Sequence, residues 1–467
     1  MQTTTPVTRV DLDPRTLLVD VNIRTDARLD KDFVASIKDL GVLVPIIAVR
    51  TAAGDVRVRF GHRRTLAAIE ADLATVPVEI VGDEATDDAG QIERILTQHA
   101  ENAHRTALSD SERIGVIEQL NAFGMSAAQI AKRTKIKRDT VNTALTVAKS
   151  DLAKAASDRY DFLTLEQAAA VAEFDDDTDA VKQLILTAQQ GHGFLHLVQR
   201  LRDEREERVA KQPIIDELVA AGVSVIDRPR WIDTAKRLEQ LGVNDDPLTP
   251  EAHASCPGHV AWVEEDRIYY EREEDDDDYD YEDVYVTVYG CSDPAAYGHV
   301  EPNAKAKSGS RNGTQTSKEE ARAERQLVLR NNRAWRSAET VRREWLKTFV
   351  ARKSAPKGAL RYVLSELARA DYDLSGAMQK GHHRFARELL GVDDTNALNE
   401  AMTVASDARA QMIALALVLG AHEAQLHVGT WRWCPYWQSR YLSQLAAWGY
   451  EVSEIEQLAI DDGADRK

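Results

Sequence analysis

Between residues 56 and 80 the hydrophobic period changes twice, and this change constrains the fold more than any other feature of the chain. VRVRF alternates apolar Val56, Val58 and Phe60 with Arg57 and Arg59, as a half-buried strand does. After Gly61, Leu66, Ile69 and Leu73 recur at helical spacing, and VPVEIV reads as a strand again. Strand, glycine, helix and strand in that order predict an α/β unit. Arg63 and Arg64 fall at the start of its helix, where positive charge opposes the helix dipole unless an anion sits there. Phosphate suits that position. The alternative is a solvated helix end with both arginines in water.

The 467 residues suffice for about three domains of ~150 residues each. No apolar run approaches the ~18 residues of a membrane span, and MQTTTPVTRVDLDP lacks the apolar core of a secretion signal, so no membrane partner is expected. Three cysteines, Cys256, Cys291 and Cys434, are too few for a disulfide framework and point to a reducing cytoplasm. The net charge of -18 taken as a sum argues against a nucleic-acid partner, but it is unevenly spread. Glu264 to Asp283 holds thirteen acidic residues against Arg267 and Arg272, whereas Ser126 to Ser150 holds six Lys or Arg against Asp139 alone. A local basic face can bind phosphates on a chain that is acidic overall.

The coarse map predicts strands VPIIAVR, VRVRF and VPVEIV in the first 82 residues, with a helix that carries Phe33, Ile37 and Leu40 on one face and stops at Gly41. From Asp87 to about Lys211 the period is helical, with a capping box at Ser109 and Glu112. Strand-like pieces (VSVID, HVAWV, RIYY, VYVTVYG) surround the acidic tract. NAKAKSGSRNGTQTS is a polar linker by composition, and Ser317 with Glu320 forms a second capping box after it.

MSAAQIAKRTKIKRDTVNTALTVAKS has the spacing of a helix-turn-helix. Ile130 and Val141 are apolar where the helices meet, and Ala131 permits their close approach. The second helix would present Lys137, Arg138, Thr140, Asn142 and Thr143 to phosphates and base edges in a major groove of double-stranded DNA. The turn position usually taken by glycine is Lys135. An ordinary helical hairpin with a solvated basic face is the competing reading.

The order of LDKDFVASIKDLGVLVPIIAVR, FGHRRTLAAIEADLATVPVEI, ILTQHAENAHRTALSDSERIGVIEQL and the helix-turn-helix resembles the ParB-type partition proteins over roughly residues 10–210. The resemblance implies a ParB/sulfiredoxin-like N-terminal domain that binds CTP with Mg²⁺, a helix-turn-helix that recognises a centromere-like site, and a homodimeric clamp working with a ParA-type ATPase. It implies a nucleotide site of Gly41, Gly61, His62, Arg63, Arg64, Asn102 and Arg105, in which Arg63 and Arg64 hold the phosphates. Glu101 and Asn102 would hold Mg²⁺, with Glu101 the candidate catalytic carboxylate. His62 stands where the family usually has glutamate, and Val44 where it commonly has glutamine. Both changes remove polar groups from the nucleotide rim, so CTP hydrolysis or base selectivity is expected to be weak. The fold also resembles sulfiredoxin, whose chemistry needs a cysteine in the arginine loop. Here the cysteine nearest in sequence is Cys256, which argues against reductase chemistry.

Cys256 and His259 in SCPGHV, with Cys291 and His299 in YGCSDPAAYGH, could complete a tetrahedral structural Zn²⁺ site across a hairpin. Buried cysteines and surface histidines are the alternative. From Lys318 to Lys353 there are eleven Lys or Arg and five Glu, which fits either DNA contact or a solvated helix. Trp335, Trp345, Trp431, Trp433, Trp437 and Trp448 read as core or interface anchors, and Cys434 as a small buried hydrophobe.

The expected layout is multidomain and predominantly α: a nucleotide-binding α/β domain over 10–106, a helix-turn-helix domain over 107–211, a mixed region with the acidic loop over 212–302, a linker over 303–317, and a helical dimerisation or partner-binding domain over 318–467. The expected function is sequence-specific DNA binding in plasmid or chromosome segregation, in a cytoplasmic protein associated with nucleoid or plasmid. A transcription regulator with a degenerate nucleotide site is the alternative, and a structural adaptor without specific DNA binding a third.

Overall fold

The computed structural model describes residues 8–19, 31–84, 87–105, 109–229, 234–243, 246–271, 279–300, 315–369, 376 and 383–466. The chain divides into two compact units, Met1–Gly191 and His192–Lys467.

In the first unit the alternating segments pair as their periodicity predicts. Strands β1 (Thr8–Leu12), β2 (Ile46–Arg50), β3 (Val56–Phe60) and β4 (Val76–Asp83) form one sheet in the order β1-β4-β2-β3. β2 and β4 run parallel, and the outer pairs are antiparallel. Helices α1 (Lys31–Leu40) and α2 (His62–Glu70) cover the sheet, and Ile46, Ala48, Val58, Ala67, Ala68, Val76 and Val78 fill the core.

Two expected helix faces shift. Ile37 is buried, with Phe33 and Val34 packed on the core, but Leu40 at the helix end is exposed. α2 buries His62, Thr65, Ala67 and Ala68 and ends at Glu70, so Leu73 packs from the following turn, not from the helix. Small residues can form a core face wherever a helix lies close to a sheet, and apolar periodicity alone overlooks them.

The helical run then follows: α3 (Asp88–Arg105), α4 (Asp110–Ala122), α5 (Ala127–Thr134), α6 (Arg138–Ala148), α7 (Asp151–Arg159), α8 (Leu165–Glu173) and α9 (Thr178–Gln190). α4 opens with the expected Ser109–Glu112 capping box. Ser126 with Gln129 and Thr164 with Gln167 form two more, opening α5 and α8.

In the second unit α10 (Phe194–Ala220) runs through Pro213 and across the boundary expected at 211. A second sheet has the order β5-β9-β10-β6, with β5 Ser224–Val225, β6 Lys236–Arg237, β9 His259–Glu271 and β10 Tyr279–Cys291. The separate pieces HVAWV and RIYY are one 13-residue strand, β9, paired antiparallel with β10 along its whole length. The most acidic part of the tract, 272–278, lies outside the described residues. β7 (Gly242–Val243) and β8 (Asp246–Pro247) make a two-stranded ladder, and α11 (Pro250–His253) precedes β9.

The C-terminal helices are α12 (Gln315–Val350), α13 (Ala359–Arg369), α14 (Arg384–Leu390), α15 (Thr395–Val404), α16 (Asp407–Gln425), α17 (Tyr436–Ala447) and α18 (Glu454–Ala464). Most of the expected linker lies outside the described residues. α12 already begins at Gln315, so Ser317 sits inside a helix and does not cap one. Trp335 and Cys434 are buried in the core, Trp345, Trp431 and Trp448 pack against it, and Trp433 is exposed beneath the Arg466 guanidinium. A methyl group at Gly420 would meet the Ala386 backbone nitrogen at 2.6 Å, so only glycine lets α16 approach α14 this closely.

This core encloses a charge network. Arg342, fully buried, donates to Glu423 at 2.6 and 3.2 Å and to Glu456 at 2.6 Å. Tyr441 donates to Glu423 at 2.7 Å, and Tyr450 to Glu456 at 3.0 Å. Burial pushes the Glu423 carboxyl up, but the Arg342 guanidinium and the hydrogen bonds outweigh it and hold this carboxyl below its ordinary value.

Candidate functional site

At the sheet–helix turn, Gly61 caps α2 in the left-handed region with φ 100°, and a β-carbon there would press on the Arg64 guanidinium at 3.2 Å. Both constraints select glycine. The cap makes no side-chain hydrogen bond, and the first turn of α2 holds no acidic residue, so the helix start retains its positive character. Arg63 lies over the Phe33 ring at 4.9 Å. Arg64 donates from Nη1 to the Val44 carbonyl and, at 3.0 Å, to the Pro45 carbonyl. It therefore pins the loop that leaves Gly41, itself left-handed at φ 70°, and on that loop Leu43 and Val44 are exposed. His62 is buried at the turn.

Glu101, Asn102 and Arg105 lie in the last turns of α3, and their side chains lie outside the described residues. The i, i+4 spacing of Glu101 and Arg105 puts these two positions on one helix face. α3 also rests on the helices that follow: Glu93 pairs with Arg133 of α5, and buried His99 faces the backbone of Thr134. Burial holds the His99 imidazole below its ordinary pKa.

α5 and α6 are two short helices joined at Lys135–Lys137. Ile130 and Val141 are fully buried, as the spacing predicts. Lys135 takes the left-handed turn position at φ 62°, the conformation a glycine would adopt without cost. Lys137, Arg138 and Asn142 are exposed, while Thr140 and Thr143 are half-buried. Thr143 donates to the Asp139 carbonyl at 2.9 Å, which ties its hydroxyl to the helix backbone. Lys132, Lys135 and Lys149 are exposed as well, so the basic excess of this segment faces solvent.

The second unit gathers four potential metal ligands. His253, Cys256, Cys291 and His299 place one ligand atom each within 4.8 Å of all the others. Nε2 of His253 lies 3.0 Å from Nε2 of His299, which is 3.5 Å from Sγ of Cys256. His259, expected as a ligand, is displaced from the set. It stacks on Tyr289, and its Nδ1 faces Nδ1 of His253 at 2.9 Å. His253 is not evident from a search for the partner of Cys256 on its C-terminal side, where His259 follows across a two-residue gap. The same two-residue gap exists on the N-terminal side, where the single turn of α11, capped by Thr249 and started by Pro250, brings His253 inward. Burial and the neighbouring His299 and His259 rings push the His253 imidazole down to about 4, and burial raises the Cys291 thiol.

The first unit therefore combines a small α/β domain bearing an arginine-containing glycine turn with a following helical run in which α6 opens on exposed Lys137 and Arg138. No protein-family profile matches the sequence, and no characterised protein sequence matches it. Solved structures to which the chain is similar include the following ParB structures. One is the C-terminally truncated chromosome-partitioning protein ParB of Caulobacter crescentus complexed with CTP-γ-S, at 26% identity over 38% of this chain and 99% of that one, TM-score 0.18. The same protein complexed to the centromeric parS site gives 22% identity over 38% and 91%, TM-score 0.27. A Pnob8-like ParB-N domain gives 14% identity over 38% and 84%, TM-score 0.28. Among the described residues no helix is long and apolar enough to cross a membrane.

Proposed function

We propose that the chain is a sequence-specific DNA-binding partition protein whose N-terminal domain binds CTP with Mg²⁺ and acts, as a homodimer, in segregation of a plasmid or chromosome. The observation that carries this reading is the α5–α6 pair, which we read as a helix-turn-helix: Ile130 and Val141 are buried and Lys137, Arg138 and Asn142 are exposed at and along α6. Lysine and arginine there supply phosphate contacts that set register, and the shorter Thr140 and Asn142 read base edges.

Support for the nucleotide comes from the Gly61 turn. An uncapped helix start beside two arginines, free of acidic residues in its first turn, suits an anion. CTP when bound would supply a triphosphate charge that Arg63 and Arg64 offset, with Glu101 and Asn102 offering oxygens to Mg²⁺ and Arg105 adding countercharge. Arg64 already fixes the 41–45 loop, so ligand exchange at this guanidinium would be felt by that loop. α3 carries Glu101, Asn102 and Arg105 at one end and rests on α5 through Glu93 and His99, which offers a physical route from nucleotide to DNA module. A ParA-type ATPase is the partner this reading calls for.

The test is recovery of the bound site: the full-length chain is crosslinked on genomic and plasmid DNA, and the enriched fragments are sequenced. One recurrent motif whose deletion destabilises inheritance of its replicon is the expected outcome. An operator beside the chain's own gene with no effect on inheritance would favour a transcription regulator, and no enriched motif would reject specific binding.

A further inference from the structure

We propose that His253, Cys256, Cys291 and His299 form a four-coordinate structural zinc site, with His259 outside the coordination shell as the hydrogen-bond partner that fixes the His253 ring. This inference is independent of the partition reading and would stand if the chain bound neither DNA nor nucleotide. The spacing of the ligand atoms carries it. With Zn–S near 2.3 Å and Zn–N near 2.0–2.1 Å, a tetrahedron has edges of about 3.3 Å between nitrogens, about 3.6 Å between nitrogen and sulfur and about 3.8 Å between sulfurs. Here the two Nε2 atoms are 3.0 Å apart, Nε2 of His299 is 3.5 Å from Sγ of Cys256, and all four atoms fall within 4.8 Å. His253 and Cys291 are buried, and Cys256 and His299 are half-buried.

The ring contacts decide which histidine is the ligand. An imidazole that offers Nε2 to a metal carries its proton on Nδ1, and that N–H needs an acceptor. Nδ1 of His259 stands 2.9 Å from Nδ1 of His253, held there by stacking on Tyr289. His259 therefore accepts from His253 and keeps its own proton on Nε2. Its closeness to the cluster follows from strand register, because His259 lies directly opposite Cys291 in the β9–β10 pair.

The backbone is built to bring the two pairs together. Ser292 N–H donates to the Gly258 carbonyl at 2.8 Å, joining the Cys256 turn to the Cys291 turn. A β-carbon at Gly258 would lie 2.6 Å from the Tyr297 ring and 2.8 Å from Cys291 Sγ. Two thiolates and two imidazoles favour zinc over magnesium or calcium, and four protein ligands leave no open position for chemistry. The metal would close the chain from His253 to His299 and lock the base of the hairpin.

The full-length, untagged chain prepared without chelator should contain about one zinc per chain by elemental analysis. Cobalt exchanged into it should show thiolate charge-transfer absorption and the intense visible bands of a tetrahedral ion. His253→Ala and Cys291→Ser should each lose the metal. His259→Ala should retain it with affinity weakened about 10–100-fold in chelator competition. Zinc kept by His253→Ala and lost by His259→Ala would overturn the ligand set. Absence of both zinc and tetrahedral cobalt bands in the unmutated chain, which requires no variant to fold, would overturn the site.

Discussion

Arginines of the two units have opposite fates. Arg138 stands exposed on α6, whereas Arg342 is fully buried between two glutamates and within reach of two tyrosines. An exposed guanidinium remains available to a ligand and contributes little to stability. A buried one is committed to the fold, since its desolvation is offset only while every partner stays in place. Charge content therefore says little about function until burial is known. The segment 318–353 is rich in Lys and Arg, yet one of its arginines is the central cation of a core.

The largest expected effect tests the buried side of this contrast. Arg342→Met leaves Glu423 and Glu456 without their cation and should destabilise the chain by about 3–5 kcal/mol in urea titrations. Wild-type-like stability would mean that the network contributes nothing. Acid should act on the same groups. Because the folded Glu423 carboxyl titrates below its ordinary value of 4.5, its contribution is fully present above that pH and is lost as pH falls through the lower folded value. Thermal melting of the wild type should be flat from neutrality to about pH 5 and fall steeply below, and Arg342→Met should flatten that acid limb.

On the exposed side, Lys137→Ala with Arg138→Ala should leave the melting curve unchanged while lowering affinity for the selected DNA site by about 100-fold or more, at about 1–3 kcal/mol per contact. Unchanged affinity at physiological salt would reduce the helix-turn-helix to a solvated hairpin. Arg64→Ala should weaken CTP about 10–100-fold by calorimetry with Mg²⁺ and DNA present, as expected for loss of a charge-assisted contact. UTP, ATP and GTP in parallel would show whether His62 and Val44 have relaxed base selectivity. No heat for any nucleotide would leave Arg64 as a brace for the 41–45 loop alone. The smallest effect is expected at Lys135→Gly, which should stabilise the chain by at most about 1 kcal/mol by relieving the left-handed lysine. Its cost in DNA affinity would measure what that charge adds.

These cases also mark how much was legible in the sequence. The glycine turn, the sheet strands and the buried positions of α5 and α6 are readable because each is local: Val58, Ile130 and Val141 are buried where their spacing puts them. Lys135 was recognised as standing in a glycine position, and the structure shows what that requires. The role of Arg342 was invisible, because Glu423 and Glu456 lie 81 and 114 residues away and no periodicity links them. The His/Cys cluster sits between these extremes. Cys256, Cys291 and His299 were found from spacing, but the choice between His253 and His259 depends on which ring faces the cluster, and that is set by α11 and by Tyr289.

The length of the β9–β10 pair has a consequence for how copies of this chain meet. β5 and β6 cover only Val260–Ala261 and Gly290–Cys291, so along the rest of their length the two strands have no further strand neighbour among the described residues. Such open edges invite strand-to-strand association between molecules, and charge is one way to prevent it. Within the two strands the sequence places Glu265, Asp266, Glu271, Asp280, Glu282 and Asp283. Like charges at those positions repel within a Debye length of ~8 Å at physiological salt, which opposes edge-to-edge pairing. Protonation should weaken that repulsion: light scattering is expected to rise when the chain is taken toward the carboxylate pKa range, and Asn or Gln at Asp280 and Glu282 should move that onset to higher pH.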